Sequence, residues 1–393
     1  MTDWPVKTLG DVCDFVRGVT FDKADARSEM KSGFIPLLRA TNITEKGLLR
    51  EDFVFVPKNG VRADQKLMSG DALITIASGS ASVVGRSVVV EDPGEMTFGA
   101  FCGVLRPSPE ILPRYLSHFM SSRSVRTAWS EAAQGTNINN LKRDDILQTE
   151  CLLPPLEEQK RIVALLDAAT ARVTELTACY EQARAHANNL FTSALRDALE
   201  SNPDWPIKTL GDIVCFESET ARSEDLSSRD VYVGLENIAS DGTLIGLGSV
   251  SAETLKSNKA RFTDKHILFG KLRPYLVKVV RPDFPGVCST DILPLEPTAE
   301  LSRDFLYWYM RSPAVIERAT EASTGTTLPR VSPTTLKSFE ISVPPLEEQK
   351  KIVARLDSMR AKTSEMATAY DAKLTAAKNL RQSILESAFE GKL

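Results

Sequence analysis

The chain repeats itself, and this feature constrains its fold more than any other. Residues 3–12 read DWPVKTLGDV and residues 204–213 read DWPIKTLGDI. Residues 154–167 read PPLEEQKRIVALLD and residues 344–357 read PPLEEQKKIVARLD, with 12 of these 14 positions identical. Self-similarity of this kind identifies a structural unit that is used more than once. The 393 residues are therefore expected to fold as two copies of one unit, about 1–200 and 201–393.

Between the near-identical blocks the two copies diverge in length and in sequence. Trp4 and Pro154 are 150 positions apart, whereas Trp205 and Pro344 are 139 apart. Short apolar or β-branched runs alternate here with Gly, Ser and Asp, a pattern that predicts a strand-rich globule in each copy. Strands are predicted at 34–38, 72–77, 87–90, 231–233 and 275–280, and short helices around 115–121 and 305–311. Because Trp4 and Trp205 occupy matched positions, they are predicted to be core or docking residues.

Each PPLEEQK block is predicted to open a long helix. Pro155 suits a first helical turn, where a missing N–H costs nothing, and Glu157 and Glu158 suit the positive end of the helix dipole. No Gly or further Pro follows for many residues. A helix is therefore predicted over 155–199, about 67 Å long at 1.5 Å per residue, and a second one over about 345–390.

Apolar residues in both predicted helices recur with the 3.5-residue period of a coiled coil. The helices are therefore expected to pair with each other, within one chain or across a dimer. An antiparallel pairing would place the two globules at opposite ends of one rod. Thr363 and Lys373 weaken the pattern. The predicted seam comprises Ile162, Leu166, Ala169, Val173, Leu176, Tyr180, Ala183, Ala187, Leu190 and Ala194, and then Ile352, Leu356, Met359, Thr363, Met366, Tyr370, Lys373, Ala377, Leu380 and Ile384.

The predicted fold class is α+β, with two strand-rich globules separated by two long helices that form an antiparallel coiled coil. The predicted boundaries are 1–153 for the first globule, 154–200 for the central helix, 201–343 for the second globule and 344–393 for the C-terminal helix. The alternative, in which each helix packs only on its own globule, is less favoured, because neither globule is long enough to cover such a helix.

Composition argues against several classes of protein. No apolar run approaches the ~20 residues that span a bilayer, and residues 1–5 lack the basic and apolar regions of a secretory signal. A cytoplasmic location is therefore expected, with no membrane partner. The six cysteines form no C-x-x-C pair and the three histidines are far apart, so no metal site is predicted.

Catalytic motifs are not found either. The chain has no G-x-x-x-x-G-K-[ST] phosphate loop. The Pro-Pro pairs resemble part of the Asn-Pro-Pro-aromatic motif of amino-methyltransferases, but Leu153 and Val343 stand where the Asn would be. Glu158-Gln159-Lys160 resembles half of a nuclease metal site without the acidic partner. Both patterns are interpreted as helix-start chemistry, and no catalytic residue is predicted.

The arrangement of these segments resembles the specificity subunits of type I restriction–modification systems over essentially the whole chain. The resemblance lies in the helix starts LPPLEEQKRIVALLD and VPPLEEQKKIVARLD, each after a variable segment, and in the ending AFEGKL. The second variable segment adds three stretches that are similar to the family's target recognition domains: GKLRPYLVKV (270–279), CSTDILPL (288–295) and STGTTLPRVS (323–332). The first is looser, with GDALITIASGSASVVGRSVVV (70–90) and GTNINNLKRDDI (135–146).

The resemblance implies a non-catalytic DNA-recognition subunit. Each variable segment would be a target recognition domain that reads one half of a bipartite, gapped site on double-stranded DNA. The helices would set the spacing and bind two methyltransferase subunits, which carry S-adenosylmethionine and methylate adenine. A further restriction and translocase subunit would use ATP and Mg²⁺ to move along DNA and cleave it. No cofactor is expected in this chain itself.

Candidate DNA contacts follow from charge and side-chain chemistry. The net charge of −4 gives no overall basic field, but residues 256–281 carry eight Lys or Arg against Asp264 alone, which suits phosphate contacts. A turn at Arg273-Pro274-Tyr275 would present Arg to guanine and Tyr for stacking. Asn in polar loops of the first globule would pair with adenine, although loop Asn and Ser commonly cap turns. The predicted contacts are Arg39, Thr41, Asn42, Ser78, Ser80, Ser82, Arg86, Thr136, Asn137, Asn139, Asn140, Lys142, Lys256, Lys259, Arg261, Lys271, Arg273, Tyr275, Lys278, Thr326, Thr327 and Arg330.

Three alternatives remain open from sequence. The chain would also suit the specificity chain of a combined restriction–methylation enzyme that cleaves outside its site, which gene context would separate. A two-headed coiled-coil adaptor that binds proteins explains the repeat but not the divergence of the globules. An enzyme is third, because the catalytic motifs are missing.

Overall fold

Each of two structural units in this computed structural model draws on both halves of the sequence repeat. The first unit comprises Met1–Tyr180 and Ala372–Leu393, and the second comprises Glu181–Asp371. Both long helices continue from one unit into the other, so each unit contains the start of one helix and the end of the other. The structure describes residues 4–22, 24–44, 47–133, 138–200, 204–216, 219–222, 226, 230–249 and 258–392.

The first unit is a mixed globule followed by the start of a 45-residue helix. Its elements are β1 (Val6–Thr8), α1 (Leu9–Val12), β2 (Cys13–Arg17), β3 (Phe34–Leu38), β4 (Ile43–Thr44), β5 (Gly47–Leu48), β6 (Val54–Pro57), β7 (Ala72–Thr75), β8 (Ala77–Ser78), β9 (Ser87–Val89), β10 (Thr97–Phe98), β11 (Cys102–Pro107), α2 (Pro113–Met120), α3 (Arg123–Ala132), β12 (Asn139–Asn140), α4 (Arg143–Leu147), β13 (Glu150–Leu152) and α5 (Leu156–Glu200).

The central sheet of this unit is antiparallel, in the order β2-β11-β7-β9, and is buried on both faces. Successive side chains of a strand point to opposite faces. Accordingly, Ile74 and Leu105 belong to one apolar cluster, together with helices α2 and α3, whereas Leu73 and Val104 belong to a second cluster on the other face. This alternation fixes the register of β7 against β11, because a slip by one residue would exchange the two faces.

The second unit repeats this plan. Its elements are β14 (Ile207–Thr209), α6 (Leu210–Ile213), β15 (Val214–Cys215), β16 (Thr220–Ala221), β17 (Val231–Val233), β18 (Gly248–Ser249), β19 (Lys259–Phe262), β20 (Ile267–Gly270), β21 (Val279–Val280), β22 (Gly286–Cys288), β23 (Ile292–Pro297), α7 (Arg303–Met310), α8 (Pro313–Glu321), α9 (Pro333–Lys337), β24 (Glu340–Ser342) and α10 (Leu346–Phe389).

Its corresponding sheet has the order β15-β23-β20-β21. Phe269 and Leu295 face the cluster that contains α7 and α8, and Leu268 and Val280 face a smaller cluster. A five-stranded sheet, β16-β19-β22-β17-β18, lies beside it in the same unit. The predicted mixed fold with two repeated, strand-rich globules and two long helices is confirmed.

Most predicted strands are present. The strands at 34–38 and 231–233 have the predicted bounds, and those at 72–77 and 87–90 are slightly shorter than predicted. The prediction of a strand at 275–280 is wrong for its first residues, since the observed strand is Val279–Val280. Pro274–Leu276 form a 3₁₀ turn, and Val277 has a positive φ of 52°, which interrupts an extended strand.

A buried glutamine ties the start of each long helix to its own globule. Gln159 is fully buried, its Oε1 accepts from the Leu112 N–H at 2.8 Å, and its Nε2 donates to the carbonyls of Glu110 and Pro154 at 2.9 Å. Gln349 makes the same three bonds in the second unit, at 2.7, 2.9 and 2.8 Å. This geometry explains why a Gln stands in both PPLEEQK blocks, five residues after the first Pro.

A second tie joins α2 and α7 to an Asp of the following long helix. His118 Nε2 lies 2.8 Å from Asp167 Oδ1, and Trp308 Nε1 donates to Asp357 Oδ1 at 2.9 Å. Trp308 and Asp357 lie 190 positions after His118 and Asp167, so the two contacts are equivalent in the repeat. Burial lowers the pKa of His118 below its usual range, against the opposing effect of Asp167, so the neutral imidazole is favoured.

Within each unit the two long helices run antiparallel. In the first unit, Ile162 near the start of α5 shares a core with Leu385 near the end of α10, and further along α5 the Tyr180 ring lies 5.4 Å from Lys373 Nζ. Since both contacts join segments of one chain, the pairing is intramolecular.

The second unit shows the same direction of pairing. Arg184 forms an ion pair of 2.9 Å with Asp371, and Phe191, later in α5, shares a core with Leu356, near the start of α10.

The helical seam departs from the predicted heptads in a regular way. Leu190, Leu380 and Met366 are 63, 52 and 43% exposed, although the 3.5-residue pattern places them in the seam. Phe191 is buried in place of Leu190. A helix of 3.6 residues per turn drifts by ~20° per heptad against a strict 3.5 repeat. Over 28 residues from Ile162 the inward position therefore moves by about one residue.

The weak seam positions find local partners. Thr363 is buried, and its hydroxyl donates to the helical carbonyls of Met359 and Arg360 at 3.0 Å. Lys373 is exposed and places its ammonium over the ring of Tyr180. Trp4 and Trp205 are partly buried and pack against the main cores of their units, in agreement with the predicted core role.

Candidate nucleic-acid interface

Three segments of the first unit meet beyond the end of β7, and we call residues 76–80, 99–102 and 138–140 the first tip. The N–H groups of Ile76 and Ala77 donate to the Phe101 carbonyl at 2.9 and 3.2 Å. Strand β8 pairs with β12, with Asn139 opposite Ser78. The loops of the tip are thus held by backbone hydrogen bonds, which leaves the side chains of Phe101 and Ile138 facing outward.

The predicted polar contacts of the first unit gather around this tip. Ser78, Ser80 and Ser82 lie on one turn, with the Ser80 and Ser82 hydroxyls 3.0 Å apart, and all but Ser78 are exposed. Asn139 Nδ2 lies 3.4 Å from the carbonyls of Ser78 and Gly79, so its amide is partly committed to the turn. The other predicted contacts here are Asn140 and Lys142, both exposed, and Arg86, half-buried. Thr136 and Asn137 lie outside the described residues.

Asn42 supports its own loop rather than facing a ligand. It is 1% exposed, its Oδ1 accepts from the Arg39 N–H at 2.8 Å, and its Nδ2 donates to the carbonyls of Leu49 and Glu51. Asn237 makes the matching bonds in the second unit. The prediction that Asn42 contacts DNA is therefore wrong, because its amide is buried and its hydrogen bonds are used.

Its neighbours are exposed on the turn after β3. Thr41 is exposed, and Arg39 donates from Nη2 to the Asp52 carbonyl at 2.9 Å.

The second unit has a matching junction, and we call residues 271–276, 289–292 and 327–331 the second tip. The Lys271 N–H donates to the Asp291 carbonyl at 2.9 Å, and its own carbonyl accepts from Val331 at 3.0 Å. The Arg273 N–H donates to the Pro329 carbonyl at 2.7 Å. The first two of these bonds match the Ile76 to Phe101 and Leu141 to Ile76 backbone bonds of the first unit. Arg273 and Pro329 occupy the positions of the paired residues Ser78 and Asn139.

A strained turn carries the predicted guanine and stacking residues. Arg273 and Val277 have φ of 51° and 52°, values that are uncommon for a non-glycine residue and a clear outlier for β-branched Val. Between them a 3₁₀ turn leaves Tyr275 exposed. Arg273 donates from Nη2 to the Thr327 carbonyl at 3.2 Å, and its buried Nε has no hydrogen-bond partner among the described residues. Such strain clusters at functional sites.

Arg330 is held beside this turn by a carboxylate that sequence inspection did not single out. Its Nε and Nη2 donate to the two Asp291 oxygens at 2.8 and 3.1 Å. This pairing lowers the pKa of Asp291, so the ion pair persists at neutral pH. The signal was present in CSTDILPL, where an acid directly precedes a buried strand. Thr326 and Thr327 are exposed in the same loop.

The basic run at 256–281 does not form one surface. Lys259 is buried, and burial lowers its pKa, so the prediction that it contacts phosphate is wrong. Arg261 lies 3.5 Å from a Glu219 oxygen, and Lys278 donates to the Ile238 carbonyl. Lys256 lies outside the described residues. The cations that reach the second tip are Lys271, Arg273 and Arg330.

In the described ranges no helix combines the length and the apolar character needed to cross a membrane. In the same ranges no group of three or more His, Cys, Asp or Glu side chains is arranged to hold a metal ion.

Comparison with known proteins agrees with the repeat. The family model described as "Type I restriction modification DNA specificity domain" matches twice, over residues 1–183 and 202–376. Two curated relatives are each 30% identical to the chain over 99% of its length and 89% of their own. They are the StySPI specificity subunit of Salmonella potsdam and the EcoKI specificity subunit of Escherichia coli (strain K12), both of type I restriction enzymes.

Solved structures show the same fold. A chain from a study of complex assembly and conformational transition of the type I R-M system superposes with a TM-score of 0.78 at 20% identity, over 99% of this chain and 98% of that one. The HsdS subunit from Thermoanaerobacter tengcongensis superposes with a TM-score of 0.58 at 20% identity, over 100% and 98%. With a family model that covers both units and two relatives matched end to end, the protein-adaptor and enzyme alternatives fall away. The chain belongs to the family of type I restriction–modification specificity subunits.

Proposed function

We propose that each unit reads one half of a bipartite, gapped site on double-stranded DNA, and that its tip lies in the major groove. The observation that carries this proposal is the pair of tips. Two of their backbone hydrogen bonds and one pairing of residues are shared, whereas their side chains differ almost completely. A common frame with exchangeable side chains is what two readers of different sequences require, because specificity comes from contacts to base edges.

The proposed contacts divide into three groups. Phosphate contacts fall to cations at or near the tips, namely Arg86, Lys142 and Lys271, with Arg39 and Arg261 at the edges. Base contacts fall to Asn139, Asn140, Arg273 and Arg330, and stacking to Tyr275. The hydroxyls Ser78, Ser80, Ser82, Thr41, Thr326 and Thr327 serve as small donors and acceptors. Thr136, Asn137 and Lys256, outside the described residues, remain predicted contacts.

The segment boundaries enter the proposal as well. Residues 1–153 and 201–343 are the two recognition domains, and 154–200 and 344–393 are the spacer helices. Leu190 and Leu380 are equivalent positions of the repeat, and both are exposed. The same holds for Leu156 and Leu346. Two equivalent exposed apolar sites suit two copies of one partner, and we assign them to two methyltransferase subunits.

Affinity is expected to be shared with those partners. The net charge of −4 and the few cations at the tips supply little of the electrostatic attraction on which DNA affinity depends. The isolated chain should therefore bind DNA weakly, and the complex with its methyltransferase subunits should bind tightly. S-adenosylmethionine, ATP and Mg²⁺ belong to those partner subunits in this proposal, and a restriction subunit completes the assembly in the cytoplasm.

The test is a map of N6-methyladenine in a host genome that carries the chain with its neighbouring methyltransferase gene. The wild type should give a bipartite motif with an unread central gap. The double variant Arg273→Ala/Tyr275→Ala should relax or abolish one half of the motif, and Lys265→Ala, an exposed cation outside the second tip, should leave the motif unchanged.

Two measurements check that the variants are correctly folded. Each variant is first shown to co-purify with the methyltransferase and to melt within a few degrees of the wild type. An unmethylated genome with an active partner enzyme would contradict the proposal, as would a motif without a gap.

A further inference from the structure

The first tip contains no charged residue. Its segments read IASGS (76–80), GAFC (99–102) and INN (138–140), whereas the second tip contains Lys271, Arg273, Asp291 and Arg330. The cations Arg86 and Lys142 lie outside the three segments of the first tip. The two tips therefore differ in charge on a similar backbone frame, although the second tip also exposes Tyr275 and Leu328.

Apolar side chains take the outward positions of the first tip. Phe101 is 61% exposed and Ile138 is 53% exposed. By the shared hydrogen bonds, Phe101 occupies the position of Asp291 and Ile138 that of Leu328. In the second unit, Asp291 at the position of Phe101 pairs with Arg330. In the first unit, the Phe101 ring gains nothing from exposure to water, because burial of apolar surface is favourable.

The backbone holds the Phe101 ring in place. Its carbonyl accepts from Ile76 and Ala77 at once, and the next residue, Cys102, is buried in the central sheet. Ile138 directly precedes Asn139, which pairs with Ser78. An exposed apolar pair on a fixed frame, surrounded by small polar groups, is suited to one feature of the major groove, the 5-methyl group of thymine, which Phe contacts in direct readout.

We propose that Phe101 and Ile138 make the first unit a reader of thymine methyl groups, an inference that rests on the proposed function above. The second unit reads hydrogen-bonding edges through Arg273 and Arg330. The two halves of the site are thus recognised by different forces, one apolar and one polar, although the two readers arose from one repeated unit.

The experiment replaces each thymine of the mapped motif, one at a time, by deoxyuridine, which removes only the methyl group. Dissociation constants are measured by fluorescence anisotropy for the purified complex of the full chain with its methyltransferase subunits. At least one replacement in one half-site should weaken binding about fourfold, the factor that corresponds to one buried methylene group. The variants Phe101→Ala and Ile138→Ala should bind the thymine and deoxyuridine duplexes with nearly equal affinity.

Met68→Ala is the matched control, because Met68 is an exposed apolar residue before the opposite end of β7, and it should keep the fourfold preference. The inference is overturned if no replacement matters, or if the preference survives in both tip variants. It is also overturned if the tip variants lose methyltransferase subunits in mass photometry, since Phe101 would then be a protein contact. A wild-type genome without a bipartite motif would defeat the proposed function itself, whereas a clear motif that is indifferent to deoxyuridine would defeat only this inference.

Discussion

At the scale of single residues, the same side chain serves different purposes according to its burial, and local sequence does not report burial. Gln159 was correctly interpreted as part of a helix start, but two of its bonds join residues 47 and 49 positions away in the chain. Asn42 and Asn139 are both loop asparagines in sequence. Only the fold shows that Asn42 is buried while Asn139 lies at the tip.

The glutamine tie gives a first prediction. Replacement of Gln349 by Leu should lower the free energy of unfolding by about 3 kcal/mol or more, because one buried N–H and two carbonyls lose their partner and each unsatisfied group costs about 1–3 kcal/mol. Chemical unfolding of the purified chain measures this difference. Gln148→Leu is the control, since Gln148 is exposed. A loss no larger than that of the control would mean that water replaces the three bonds.

At the scale of elements, hydrophobic pattern and helix-start chemistry were sufficient for most of the fold. The helices were predicted at 155–199 and about 345–390 and are observed at Leu156–Glu200 and Leu346–Phe389. The pattern failed where a tight turn replaced an extended strand. Val277 sits in a β-branched run that favours a strand, yet its N–H closes a 3₁₀ turn on the Pro274 carbonyl at 2.8 Å.

The drift of the helical seam gives a second prediction, which compares two neighbouring residues of α5. Phe191→Ala should destabilise the chain by about 3–5 kcal/mol, as for other buried aromatic residues, because its ring packs 5.4 Å from that of Trp308. Leu190→Ala should change stability by less than about 0.5 kcal/mol, as at exposed sites. A strict heptad seam would bury Leu190 and make Leu190→Ala the more destabilising variant. Urea unfolding of the two variants therefore distinguishes a strict heptad seam from the observed one.

At the scale of the whole molecule, the notable feature is that neither unit is made from one half of the repeat alone. The first unit is completed by residues 372–393. There the Phe389 ring lies 5.2 Å from Tyr115 and 5.4 Å from Phe119, and Glu386 accepts from the Ser124 N–H at 3.0 Å. The predicted boundaries at 153 and 343 follow the repeat, but contacts between distant segments of a chain leave no local pattern.

This completion gives a third prediction. Phe389→Ala should loosen the first unit while the second unit keeps its stability, because the Phe389 ring covers two aromatic residues of α2. Hydrogen exchange of the full chain should show faster exchange in α2 and α3 and unchanged exchange in α7 and α8. Leu380→Ala, an exposed position on the same helix and in the same unit, is the control. Uniformly faster exchange in both units would contradict this assignment.

The division of the chain also sets an order of events during synthesis. Domains usually fold from the N-terminus as the ribosome releases them, but here the early residues wait for the late ones. The second unit is contiguous, from Glu181 to Asp371, and can close its core as soon as that stretch emerges. The first unit keeps Tyr115 and Phe119 uncovered until Phe389 has left the exit tunnel. The half that is made first is therefore finished last, and a premature stop between Asp371 and Phe389 would leave a chain with a complete second unit and an exposed aromatic core in the first.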